Sequence, residues 1–593
     1  MRAVMKTIPR LSLLTMILGL FFQAQLKAET NYVNQGLAKY KGGDLEGAIA
    51  DFNLAIAQNP RDGLAYTNRG IARYDKGDAD GALADASRAI ELDPTIALAY
   101  SNRAMGKREN GDIDGALADA ERAIQIDPKL AMAYTNRGTC RFDKGELDGA
   151  LADFEQAIAL DESISIAHSN RGLIRLQKGD QAGAMADYNR SIELDPKAYL
   201  AFYNRGLAKY AQKDPDGAIA DFTRAIEIRP QLAEPYNSRG FVRMARHDYD
   251  VAIADFTKAI ELKPKLVLSH TNRAAARTAR HEYEAAIADY TDAIALVPQD
   301  ADLYYKRGEA TLGKGDTDGA LADFDQAIGI NPGHGNSLYA RARIRRGRGE
   351  VDGAITDFGQ VIELFPKFTP ALIARGRAYF SKEQYDLAAA DFQQALVVDP
   401  KSYEAQDVLG DVAKYQGDFD QAIALYTKSV EMNPHYGDGY WDRGRAHQFK
   451  GEFDLAAADF RKTIEVSPTF EYPYLHLLFV TRLARGNDAA VLAEFGEFVA
   501  ANKSTAWVRT LSNFYLGRLD EARVLALAKE EKDENAASYQ LASAYFYLGA
   551  QRLVAGNRAG AEEFFAQSLK ANPKGSFAFD IKALRARMAD GKP

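Results

Sequence analysis

Twelve prolines fall at residues 60, 94, 128, 196, 230, 264, 298, 332, 366, 400, 434 and 468, a spacing of 34 with one gap of 68. The skipped position holds Glu162, inside an otherwise intact block. A period this strict leaves few folds open. A chain of 593 residues is too long for one ordinary core. Stacked copies of one small unit, each burying its face on the next, solve that problem.

We number each block 1 to 34 with the proline at 32, so block 1 begins at residue 29. Position 20 is Ala in all thirteen blocks, from Ala48 to Ala456. Position 8 is small, as in Gly36, Gly70, Ala104 and Gly138. Position 4 is mostly aromatic (Tyr32, Tyr66, Tyr100), and so is position 24 (Phe52, Phe154, Tyr188, Phe222). Apolar residues at helical spacing predict two helices per block, at positions 1–14 and about 17–30. Small residues let the two approach, and the rings fill the remaining space. Gly at position 15 (Gly43, Gly77, Gly111) stops the first helix, and an acid at 16 caps the second.

This pattern is identified as that of the tetratricopeptide-repeat family over residues 29–470. The resemblance implies an all-α fold, a right-handed superhelical solenoid of paired antiparallel helices. After residue 470 the pattern fails. Residues 471–534 read as degenerate helix pairs, and 535–593 as a last repeat with a capping helix. Within this stretch Asn513-Phe514-Tyr515-Leu516-Gly517 and Ala544-Tyr545-Phe546-Tyr547-Leu548-Gly549 carry a resemblance to NlpI-type repeat lipoproteins of the bacterial envelope. That resemblance implies an adaptor that brings envelope proteases and cell-wall hydrolases together. The chain is longer than that family and lacks its lipid-bearing cysteine.

Residues 1–28 read as a signal peptide: Arg2, Lys6 and Arg10, an apolar run over 11–22, then Ala24 and Ala28 as small-residue cleavage sites. The chain is then expected to be exported, periplasmic and not a lipoprotein, with no transmembrane segment after cleavage. The net charge of -8 becomes -12 without residues 1–28, whose charged residues are Arg2, Lys6, Arg10 and Lys27. An acidic chain argues against general nucleic-acid binding. The single cysteine, Cys140, excludes internal disulfides and Cys-based zinc sites. It takes position 10, a small core slot.

Position 7 is Arg in eleven blocks and position 23 Asp in twelve, while block 12 has Leu409 and Leu425. Paired replacement predicts that Arg and Asp touch within one repeat, a structural ladder and not a ligand site. No nucleotide-binding loop, nucleophile elbow or HExxH stretch occurs. His247 and His281 stand in turn slots one repeat apart and make a poor metal site. No enzyme, cofactor or metal is expected.

Function is expected in the groove, which the family resemblance assigns to positions 2, 5, 6, 9, 12 and 13. Position 6 is Asn34, Asn68, Asn102, Asn136, Asn170, Asn204 and Asn272, amides able to hold a peptide backbone. Position 9 is mainly apolar early and charged late. The later repeats combine Tyr305, Tyr339 and Trp441 with Arg343, Arg346, Arg377, Phe380 and Arg445. Arg beside Tyr or Trp is the composition of binding hot spots. The expected function is a protein-binding scaffold of the bacterial cell envelope. The alternative is a scaffold for polysaccharide export that binds an anionic glycan. Oligomeric state is left open.

Overall fold

The computed structural model describes residues 32–486, 488–501, 504–573 and 575–589. The expected signal peptide lies outside them. Among the described residues there are thirty-three α-helices and no strand. None is long and apolar enough to cross a membrane.

Each block folds as two antiparallel helices, such as Gly63–Lys76 with Ala79–Leu92. Position 15 carries a positive φ in every block, and in four it does so without glycine: Lys213, His247, His281 and Glu383. The turn thus holds its left-handed shape even against side-chain preference. His247 and His281 each bond a tyrosine two residues on, Tyr249 and Tyr283, at 2.7 Å. At position 16 most aspartates cap the second helix and the glutamates do not; Asp248 is an aspartate that makes no cap bond. Asp44, Asp78, Asp112, Asp180, Asp214, Asp316 and Asp418 accept from the amide three residues on. Glu146, Glu282, Glu350 and Glu452 make no such bond.

Position 8 is small because position 24 lies on it. A Cβ built on Gly206 would sit 2.8 Å from the Phe222 ring, and one on Gly240 2.8 Å from Phe256. Phe222 and Phe256 are fully buried. Position 20 contributes Ala218 and Ala252, also fully buried. Cys140 is buried as expected, and burial pushes its thiol up to about 12.

The ladder of position 7 and position 23 forms within each repeat. Arg69 donates from Nε and Nη2 to the Asp85 carboxylate at 2.9 and 2.6 Å. The same fork recurs from Arg103–Asp119 to Arg443–Asp459. Position 11 adds a second cation to the same acid, as Arg73 does on Asp85 and Lys209 on Asp221. Paired and hydrogen-bonded charges of this kind tolerate burial. They also engage the Nε and Nη2 edge of these arginines within the repeat.

The chain divides into two compact units. One runs through residue 299 and includes Gly313–Gly315; the other holds Asp300–Leu312 and the residues from Asp316 onward. In the first unit the core is a series of small clusters, each spanning about one repeat and its neighbour, such as Phe142, Phe154 and Ile174. In the second, the C-terminal part gathers one large cluster, from Ala456 and Phe460 through Leu477, Phe495, Leu511 and Phe546 to Ile581. The 21-residue helix Glu534–Val554 is its axis. The last helix, Ser576–Ala589, closes it and also reaches back to Gly437–Lys450, the first helix of repeat 13.

Candidate functional site

The asparagine row is not an open line of amides. Asn68, Asn102, Asn136, Asn170 and Asn204 are all buried. Asn136 Nδ2 donates to Ser101 O and Oγ at 2.9 Å, and Asn272 Nδ2 to Asn237 Oδ1 at 3.2 Å. These bonds join position 6 of one repeat to position 5 of the preceding one, so Asn136 and Asn272 bind helix to helix, while among the described residues Asn68 Nδ2 and both amide atoms of Asn102 are buried without a hydrogen-bond partner. Asn34 is exposed at the first repeat. Sequence reading missed a second bridge of the same kind. Tyr74 donates to Glu109 at 2.7 Å and Arg108 to Asp143 at 2.7 Å, each linking position 12 to position 13 of the next repeat.

The later aromatic and arginine residues separate into two groups. In repeats 9 to 11 they surround open space. Tyr305, Tyr339 and Arg343 line a cleft of about 670 Å³ together with Val361, Leu364, Phe365 and Phe368. Leu364 is 45 % exposed, Phe365 49 % and Phe368 39 %, so its apolar wall is open to solvent. Tyr339 is held edge-on against Phe368 with centroids 5.4 Å apart. A neighbouring cleft of about 410 Å³ shares Tyr339 and Arg343 and adds Arg346, Ile373, Arg377 and Tyr403. Among the described residues Arg343, Arg346 and Arg377 have no carboxylate within ion-pair distance. Burial, then Arg377 and Arg343, push the Arg346 guanidinium below its ordinary value. Glu309 lines the first cleft near Arg343, and Asp399 and Glu404 line the second. With Lys367 and Lys401 the cations outnumber these acids, and three guanidiniums outside ion pairs beside an apolar wall make an anion-seeking surface with a hydrophobic edge.

The remaining three expected groove residues, Trp441, Arg445 and Phe380, pack against or pair with other parts of the chain, which corrects their place in the groove. Trp441 packs on Phe460, Phe470 and His476 with centroids 4.8 to 5.4 Å apart. Arg445 pairs with the buried Asp580 of the last helix. Phe380 packs on Tyr385 and Tyr415.

Repeat 12, which lacks the ladder, carries a buried charge network in its place. Lys414 Nζ donates to Asp411 at 2.6 Å and Asp442 at 2.8 Å. Burial works against the ammonium, but Asp411 and Asp442 outweigh it and hold its pKa above the usual value. Tyr436 donates to Asp407 Oδ2 at 3.2 Å. Burial, then Asp442 and Asp411, push the Asp407 carboxyl well above the carboxylate range. Carboxylate oxygens of Asp407, Asp411 and Asp442 lie within 4.8 Å of one another. The signal was present in the sequence: the repeat that loses Arg and Asp at positions 7 and 23 gains charges at 5, 9 and 12.

Tetratricopeptide-repeat models match residues 33–95, 102–163, 199–232, 301–334, 339–405 and 408–469, and a TPR repeat model matches 172–213 and 276–315. Together they cover more than half of the chain. The chain belongs to the tetratricopeptide-repeat family. Proteins of this family bind protein partners along their stacked helices. A search of curated proteins finds no match. Among solved structures this repeat protein is similar to YrrB, a TPR protein with an unusual peptide-binding site. The identity is 22%, over 32% of this chain and 97% of that one, with a TM-score of 0.30. It is also similar to the APC/C hetero-tetramer Cut9-Hcn1 (14% identity, 91% and 96% covered, TM-score 0.31). Yeast Tom70 is a third (18% identity, 74% and 96% covered, TM-score 0.31).

Proposed function

We propose that this repeat protein is a non-catalytic adaptor of the bacterial cell envelope, exported by its N-terminal segment, that holds partner proteins in the clefts of repeats 9 to 11. One observation carries the reading. Arg343, Arg346 and Arg377 stand unpaired beside an apolar cleft, in a chain that pairs most of its other arginines. A partner segment with an apolar side chain and a carboxylate satisfies both halves of that surface. An acidic polysaccharide would neutralise the arginines but leave Leu364, Phe365 and Phe368 in water. By resemblance of the C-terminal part to NlpI-type proteins, the partners are envelope proteases or cell-wall hydrolases.

The test is photo-crosslinking in an envelope extract, with a cross-linker placed in the cleft of the full chain. The control is Arg343→Ala/Arg346→Ala/Arg377→Ala at full helicity. Arg445 is left untouched because its loss would disturb the fold. Wild-type enrichment of defined envelope proteins, lost at least tenfold in the triple variant, supports the adaptor. Equal capture by both chains removes the cleft from the account. Capture of glycan alone replaces the adaptor with the export scaffold.

A further inference from the structure

The last helix shows what this repeat surface accepts. It lies on the first helices of repeats 12 and 13. Phe579 stacks on Tyr415 with centroids 4.4 Å apart and meets Phe449 at 5.4 Å. The next residue, Asp580, is 2 % exposed and pairs with Arg445. Arg587 donates to the Phe449 carbonyl at 3.2 Å and lies over the Phe453 ring. An aromatic and an acid, adjacent in sequence, are thus recognised by rings at position 13 and an arginine at position 9. Positions 9 and 13 are one helical turn apart, so a helix can address both at once.

Repeats 10 and 11 repeat half of this arrangement without an occupant. Position 9 is Arg343 and Arg377, as it is Arg445 in repeat 13. Position 5 is a ring in repeats 10 and 13: the Arg445 guanidinium lies 5.7 Å from the Trp441 centroid, while Tyr339 lines the same clefts as Arg343. Position 13 differs, being Gly347 and Ser381. The apolar wall instead lies on the other side of Arg343, at Tyr339, Leu364, Phe365 and Phe368.

We infer that the open clefts of repeats 10 and 11 take a helical segment of a partner protein in which an acidic side chain stands beside an aromatic one. The inference rests on the adaptor reading and narrows its partner. The carboxylate pairs with Arg343 and Arg377, as Asp580 pairs with Arg445. The ring enters the cleft of about 670 Å³, which is large enough for an aromatic side chain. Charge complementarity sets the sign of the partner, and the seated last helix sets its conformation.

The probe is a labelled peptide copying residues 576–589, titrated by fluorescence anisotropy into the full chain. Three altered peptides accompany it: Asp580→Asn, Phe579→Ala and Ala583→Pro, the last unable to form the helix. Saturable binding is expected, at least tenfold weaker for each altered peptide and for the Arg343→Ala/Arg377→Ala chain at unchanged helicity. Equal binding by that chain and the wild type overturns the inference, and places the peptide elsewhere, including exchange with the last helix. Arginine-dependent binding that the Ala583→Pro peptide retains overturns the helical partner and leaves the adaptor reading standing. Absence of binding by all the peptides, together with failed envelope capture, overturns both.

Discussion

Arg343 and Arg445 hold the same position of the repeat, three repeats apart, and meet opposite fates. Arg343 is exposed and unpaired at the rim of an apolar cleft. Arg445 is sealed against Asp580 and stacked near Trp441 and Phe449. The repeat supplies the same backbone and the same side chain to both. What separates them is a helix from more than a hundred residues downstream. A repeat position therefore defines geometry, while its role as core or binding surface depends on what lies across from it.

The largest effect should follow from cutting the closed site. Arg445→Ala leaves Asp580 buried without its partner, a change of about 3–5 kcal/mol. Arg343→Ala removes an exposed side chain and should stay within about 0.5 kcal/mol. Chemical denaturation of the two variants beside wild type measures the difference. Equal losses would break the comparison, because Arg343 would then be a structural residue too.

Acid should find the closed site next. His476 lies under Trp441, and burial, then Arg445, lower its pKa to about 3. In the unfolded chain it titrates near ~6.5. Below that pH the unfolded state takes up a proton that the folded state refuses. Its contribution is therefore complete above ~6.5 and is lost as pH falls toward 3. Between pH 7 and pH 5 the loss is about 2 kcal/mol. The raised carboxyl of Asp407 titrates in the opposite sense, its contribution falling as pH rises. The decisive quantity is thus the difference between wild type and His476→Gln across one pH series. A pH slope that the substitution leaves unchanged would falsify the assignment to His476.

The two regions also differ in how much of them could be read from sequence. Helix pairing, the glycine turn, the small residues at 8 and 20 and the Arg–Asp ladder all follow from a 34-residue period, because each is a contact inside one repeat. Arg69 meets Asp85 sixteen residues away, and every copy repeats the evidence. The open cleft was half legible. Tyr305, Tyr339, Arg343, Arg346 and Arg377 were recognised by composition, but its apolar wall comes from Leu364, the last residue of a helix, and from Phe365 and Phe368 in the turn that follows, none of which the sequence reading singled out. The closed site was not legible. Nothing in the period connects Arg445 with Asp580, a pairing across 135 residues that occurs once. The asparagine row was read only in part, for a related reason. Position 6 borders both the groove and the neighbouring helix, and the neighbour takes Asn136 through Ser101 and Asn272 through Asn237.

The turn slot gives the finest test. Position 15 is Glu383 in repeat 11, at φ 58°, and Gly451 in repeat 13, at φ 82°. Glu383 bears the strain of a left-handed residue with a side chain, about 1 kcal/mol, and part of that is recovered in the unfolded state because Glu is less free there than Gly. Glu383→Gly should stabilise the chain by about 0.5 kcal/mol. Gly451 faces a second demand. A Cβ there would run into the Arg587 guanidinium of the last helix, where nothing stands near the turn glycines Gly349 and Gly417. Gly451→Ala should therefore cost more than Gly417→Ala, which carries the left-handed strain alone, about 1 kcal/mol. Thermal melts of the three variants rank these effects. If Gly451→Ala and Gly417→Ala cost the same, Arg587 yields without loss and the last helix is held by Phe579 and Asp580. If Gly451→Ala costs more, its C-terminal end is fixed as firmly as the aromatic–acid pair, and repeat 13 is closed along the whole length of that helix.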